Sequence, residues 1–241
     1  MKQLFFLILI FFSFQLLSLN IPALQSHIND HANILTRQEK ANLDNYLSQY
    51  ERNTGIQVAV LIIRSLQNEI LENYSLRVAE KWQLGAKDKD NGVLLLISMQ
   101  EKKLRIEVGY GLEGVLTDAQ SGFIIRNEIV PYFKNGNYYS GISAGLQTIT
   151  GVLSKEIEIT DEQIAQSRKQ QETGRAQLPF GLMVFLFMIF FGGLGRRRGG
   201  LLPFLFLGSM LGGSSRSGGR GFGGFSGGGG GFGGGGASGG W

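Results

Sequence analysis

Gly92-Val93-Leu94-Leu95-Leu96-Ile97-Ser98, a polar turn over Met99–Lys103, and Leu104-Arg105-Ile106-Glu107-Val108 decide how this chain folds. The first run has no polar alternation, so it reads as a strand buried on both faces. The second alternates with period two and reads as a half-exposed strand. The short turn makes the pair a hairpin. Upstream, Ile56-Gln-Val-Ala-Val-Leu-Ile-Ile63 is another buried strand. Between the two buried strands, Asn68–Gln83 carries Ile70, Leu71, Tyr74, Val78 and Trp82 at helical spacing and stops at Gly85. Strand, helix, strand predicts a right-handed parallel crossover.

The same reading extends outward. Thr36 and Glu39 form a capping box for a helix to about Asn53, with Leu35, Leu43, Tyr46, Leu47 and Tyr50 as its apolar stripe and Gly55 as its stop. Asp118–Ile129 reads as a helix ended at Pro131, and Gly136/Asn137 opens another that runs to about Leu153. The predicted fold over residues 20–154 is α/β: a three-layer α/β/α sandwich with a small mixed sheet.

The ends of the 241-residue chain read differently. Residues 1–19, with Lys2 before an apolar run, predict a signal peptide. Residues 155–177 are polar and predict a helical stalk. Leu178–Gly195 holds no charge and, at ~1.5 Å per residue, is long enough for a C-terminal transmembrane helix. Arg196-Arg197-Arg198 marks its cytoplasmic side, which agrees with a signal that exports the domain. Residues 196–211 add a short apolar segment to this basic cluster. Residues 212–241 hold 18 Gly in 30 positions and are expected to be disordered, since they offer little apolar surface to offset backbone entropy. The predicted location is membrane-anchored, with the N-terminal domain extracytoplasmic.

A net charge of +4 suggests nucleic acid, but its distribution does not. All 19 acidic residues lie between Asp30 and Arg175, against 17 of the 23 Lys and Arg, so the globular part is near −2. No nucleic-acid partner is expected. The chain has no Cys, which excludes disulfides, Cys-ligated zinc, iron–sulfur clusters and thiol catalysis. His27 and His31 flank Asp30 and read as surface residues. Gly109-Tyr-Gly-Leu-Glu-Gly114 follows an edge-type strand, the wrong context for a dinucleotide fingerprint.

Topology gathers acids. The start of the strand at Gly92 and the end of the strand at Val108 share one rim of the sheet. Asp88-Lys89-Asp90-Asn91 precedes the first. Gly109–Gly114 and Leu116-Thr117-Asp118 follow the second. Asp88, Asp90, Glu113 and Asp118 therefore lie on loops at one rim, with Asn91 among them, and Gly92, Gly109, Gly111 and Gly114 let the backbone turn tightly or approach an ion closely. Clustered carboxylates repel one another and favour a hard cation, which makes these five residues candidate Ca²⁺ ligands. No catalytic residue is assignable.

Residues 21–153 resemble a TPM domain, the module shared by a thylakoid-lumen phosphatase-like protein, a photosystem repair factor and a modulator of acetylcholine receptors. The resemblance rests on Ile21-Pro-Ala-Leu24, Asn29-Asp-His-Ala-Asn-Ile-Leu35, Thr54-Gly-Ile-Gln-Val58, Lys87-Asp-Lys-Asp-Asn-Gly-Val-Leu-Leu-Leu96, Arg105-Ile-Glu-Val-Gly-Tyr-Gly-Leu-Glu-Gly114 and Leu116-Thr-Asp118. The signal, the span and the Gly-rich end closing in Gly-Trp also resemble bacterial membrane-anchored members. The resemblance implies an α/β/α fold, a Ca²⁺ site at the acidic loops and an acid-phosphatase activity. Asp30 matches a motif position that the topology does not bring to the rim. Two functions are expected from this. One is a Ca²⁺-binding domain that helps assemble or maintain an envelope protein complex. The alternative is a metal-assisted phosphatase, for which Lys87, Lys89 or Arg105 would be the phosphate clamp.

Overall fold

The computed structural model describes residues 19–175 and 230–241. Its elements are β1 (Ile28–Asp30), α1 (Arg37–Thr54), β2 (Gln57–Ile63), α2 (Leu71–Trp82), β3 (Gly92–Ser98), β4 (Lys103–Gly109), α3 (Asp118–Ile124), α4 (Val130–Lys134), α5 (Tyr138–Leu153), α6 (Asp161–Arg175) and β5 (Phe232–Gly240). One sheet holds all five strands in the order β1-β2-β3-β4-β5. β1, β2 and β3 run parallel, while β4 and β5 each run antiparallel to the preceding neighbour in that order. This is a mixed α/β fold. Residues through Ser167 and the tail form one compact unit, and the end of α6 from Arg168 falls in a second.

Period-two alternation along β2 sorts the core onto two faces. Val58, Val60 and Ile62 pack with Leu43 and Leu47 of α1 and with Ile142, Leu146 and Ile149 of α5. Ala59, Leu61 and Ile63 pack on the opposite face with Leu71, Tyr74, Val78 and Trp82 of α2. α1 begins with the expected capping box, Thr36 with Glu39, and ends on Gly55 in the left-handed conformation at φ 74°.

Four local expectations change. β1 is an additional strand that the sequence pattern did not mark, three residues long and paired with Val60–Ile62. The helix from Asp118 does not end at Pro131. It widens into a π-turn over Ile125–Ile129 and resumes as α4, with Pro131 near the new N-terminus, where a missing N–H costs little. β4 is not half-exposed, because Leu104–Gly109 are all buried. The polar face of β4 lies under α2, and its free edge is covered by β5.

β5 is the largest departure. The last twelve residues belong to a stretch expected to be disordered, yet Phe232–Gly240 forms a strand along the whole of β4, from Lys103↔Gly240 to Gly109↔Phe232. The expected membrane span at 178–195, the basic and apolar segment at 196–211 and the signal up to residue 18 lie outside the described residues. Among the described residues, no helix is long and apolar enough to cross a membrane.

Candidate functional site

The rim of the sheet forms as the hairpin topology requires. The turn before β3 and the turn after β4 touch through their backbones. The Gly111 N–H donates to the Asp90 carbonyl at 3.1 Å. A Cβ on Gly111 would collide with the Lys89 carbonyl oxygen, and one on Gly109 with the Asp90 carbonyl oxygen. The two glycines thus serve the approach of one loop to the other. Asp90 itself sits at φ 49°, a left-handed conformation that Asp tolerates better than most residues.

The five candidate ligands do not act as one group. Asn91 is 7% exposed, and its amide bridges the turn. Its Oδ1 accepts the Ala86 N–H at 2.8 Å, and its Nδ2 donates to the Gly55 carbonyl at 2.7 Å. Asp88 is exposed on the turn. Asp90 Oδ1 accepts the Gly231 N–H at 2.6 Å, and Asp118 Oδ1 accepts the Gly236 N–H at 2.6 Å. Glu113 lies over Gly235, where a Cβ would strike its carboxylate. With the tail seated, no three His, Cys, Asp or Glu side chains converge as a metal cluster among the described residues. One oxygen each of Asp90 and Asp118, expected to meet a cation, thus meets a backbone amide of the tail.

What converges instead is a seat for an extended strand. Asp90 and Asp118 hold two of its amides. On the face under α2, the Arg105 guanidinium donates from Nη2 to the Gly234 carbonyl at 2.8 Å and from Nη1 to the Ser238 hydroxyl at 3.2 Å. The Ser238 hydroxyl donates to Glu72 Oε1 at 2.7 Å. Burial works to raise the Glu72 carboxyl, but the Ser238 hydroxyl, the residue's own backbone N–H and the charges of Arg105 and Lys103 together outweigh it and hold the group below the usual carboxylate range. At the far end, the Trp241 ring meets Phe133 edge-to-face at 4.8 Å between centroids and Tyr138 at 6.3 Å. At the near end, Phe232 is 7% exposed and joins the α2-side core.

Beneath the strand lies a buried ion pair. Arg105 Nε donates to Glu107 Oε2 at 2.6 Å, and the Ser75 hydroxyl donates to the same oxygen at 2.8 Å. Glu107 is fully buried, and its Oε1 has no hydrogen-bond partner. Burial pushes its carboxyl up despite the neighbouring guanidinium. Sequence reading missed this pair because alternation alone placed both groups toward solvent. Arg105 and Glu107 two apart on one strand share a face, and that spacing was the available signal.

The glycines of β5 follow the surface they lie on. Tyr110 covers Gly233 and Ile125 covers Gly239 so closely that a Cβ at either would collide. Gly236 has φ +121°, and a Cβ there would run into the Ile106 carbonyl oxygen. Tyr110, Glu113, Thr117, Asp118 and Gly233–Gly235 border an open depression of about 550 Å³.

The residues outside the rim have local duties. Asp30 accepts the N–H groups of Ala32 at 3.0 Å, Asn33 at 2.8 Å and Leu35 at 2.9 Å, closing the loop into α1. It stands level with Ile62, at the opposite strand end from the rim. His31 is exposed, while His27 is half-buried, with Nδ1 2.9 Å from the Val58 carbonyl and Nε2 3.1 Å from Glu51.

Comparison with known proteins places this architecture. The TPM domain family matches residues 28–152, and the chain belongs to that family. Among solved structures, the N-terminal domain of a P. gingivalis protein is 30% identical, with a TM-score of 0.51, and the match covers 54% of this chain and 83% of that one. The BA42 protein of the psychrophilic bacterium Bizionia argentinensis is similar at 21% identity and TM-score 0.45, over 56% of this chain and 91% of its own. The N-terminal domain of the cg2496 protein from Corynebacterium glutamicum follows at 11% and 0.44, over 59% and 93%. The curated proteins yield no match.

Proposed function

We propose that this TPM domain protein is a non-catalytic binding module, anchored at a membrane through residues 178–195 with its domain extracytoplasmic, that helps assemble or maintain an envelope complex. The observation that supports this most is the use of the rim carboxylates. Asp90 and Asp118 each accept a backbone amide of an extended segment that also pairs along β4, and main-chain pairing along a free edge is how a sheet takes up a strand. The phosphatase reading draws less support. Arg105, its best-placed cation, is committed to Glu107, Gly234 and Ser238, and Lys87 and Lys89 are exposed on a turn away from any buried carboxylate pair.

The test uses the full chain in membranes. A photo-crosslinker at position 110, beside the rim, should give a discrete envelope product whose yield changes in the Asp90→Ala/Asp118→Ala variant. Purified chain should hydrolyse a phosphomonoester no faster than that variant, with Ca²⁺ or Mg²⁺ present. Turnover that depends on a metal and on Asp90 would replace this reading with the enzyme.

A further inference from the structure

The tail reads as filler by composition, yet almost every position in it is specified by the surface it meets. Of the residues from Gly230 to Trp241, Phe232 and Trp241 are anchors, Ser238 joins a polar network, and Gly233, Gly235, Gly236 and Gly239 lie where a Cβ would strike Tyr110, Glu113, the Ile106 carbonyl or Ile125. The receiving surface is equally specific: the edge of β4, two carboxylate acceptors, one guanidinium and an aromatic corner. None of these contacts requires the strand to belong to the same chain. The connection between Arg175 and Gly230 is residues 176–229, which fully extended reach well over ~100 Å. Covalent linkage therefore raises the tail's local concentration but does not dictate which edge it fills.

We infer that the β4 edge is a receptor for this terminal sequence and that its occupant in trans is the tail of a second copy of the chain. A copy supplies an identical strand, so an exchanged contact equals the internal one in energy, and only effective concentration separates the two. Exchange of an identical element is a low-cost route to assembly. Anchoring in one membrane plane, as proposed above, would raise the local concentration of copies and so favour exchange. This rests on the reading of the rim as a strand-binding site and names the strand.

Gly236→Val in the full chain separates tail from receptor. The substitution lies outside the two core clusters, and it blocks seating because a Cβ at φ +121° meets the Ile106 carbonyl. That chain has an open edge and a tail that cannot dock. A fluorescent peptide of sequence 230–241 should bind it saturably, and the same peptide with Gly236→Val should bind at least about a hundredfold more weakly. Differently tagged wild-type chain should be co-captured with the Gly236→Val chain, and unlabelled wild-type peptide should displace it. A chain truncated after residue 229, which lacks the strand altogether, serves as a second open-edge variant if Gly236→Val lowers the helical signal of the domain. No peptide binding to either variant would overturn both the receptor and the strand-binding rim. Peptide binding without copy-to-copy capture would overturn the second copy as occupant and leave the rim reading standing.

Discussion

Trp241→Ala measures how firmly the tail is seated. The ring is partly buried and stacks edge-on against Phe133 and Tyr138. Truncating a fully buried aromatic costs ~3–5 kcal/mol, and edge-to-face pairs add ~0.5–1.5 kcal/mol within such values. Half burial reduces the loss to about 2 kcal/mol, or a factor of about 30 in the docking equilibrium. Native-state hydrogen exchange reads this directly. The amides of Gly231, Gly236 and Trp241, which donate to Asp90, Asp118 and the Lys102 carbonyl, and that of Tyr110, which donates to the Gly231 carbonyl at 3.1 Å, exchange when the tail lifts. Their rates should rise about 30-fold in the variant, while amides in the centre of β2 and in α2, which need wider opening, stay within twofold. Equal rates in the two proteins, or β5 amides that already exchange as in a free peptide, would refute a seated strand.

Further outcomes follow from the same contacts. Glu107→Ala leaves the buried Arg105 without its carboxylate and should destabilise the domain by about 3–5 kcal/mol in urea denaturation. Gly111→Ala forces the two rim loops apart and should cost at least about 2 kcal/mol by the same measurement, whereas Gly114→Ala, with open space around it, should cost under about 1 kcal/mol. Acid should loosen the tail through Glu72. Its carboxyl is held below the usual range when Ser238 is seated, so that stabilisation is complete above the ordinary value and is lost as pH falls through the lowered one. Glu107 has the opposite sign. Its raised carboxyl means that global stability gains as pH falls from the raised value toward the ordinary one, so a Glu107→Gln domain should lose that gain in a pH series of urea melts. Calorimetric titration of the intact chain with Ca²⁺ should give no heat that the Asp90→Ala/Asp118→Ala variant removes; a saturable heat absent from the variant would return an ion to the rim.

The parallel pair β2 and β3 and the hairpin into β4 were legible because each rests on a local pattern: unbroken apolar runs, period-two alternation and a short polar turn. The meeting of the 88–90 and 109–113 loops was legible for the same reason, since strand direction alone places them together. β1 was not, because three residues carry too little periodicity to register. Nor was the passage of the helix through Pro131, because a π-turn absorbs the proline by geometry that no residue spacing announces. The tail was misread for a deeper reason. Composition counts how much apolar surface a segment can bury by itself, and eight glycines among its last twelve residues bury almost none. Here the missing surface is supplied by the partner face: Tyr110, Glu113 and Ile125 occupy the space that side chains on the strand would otherwise fill. Asp90, Glu113 and Asp118 all lie along the seated strand, and that strand changes what they meet.

The seating of the last strand also fixes residue 230 and residue 175 to the same side of any barrier that the stretch between them meets. If residues 178–195 cross from the domain's side, the terminal Trp reaches Phe133 only when the chain comes back through the same leaflet pair. Domain and closing residue therefore share one compartment, and an impermeant reagent that labels the domain should also reach a tag placed after Trp241.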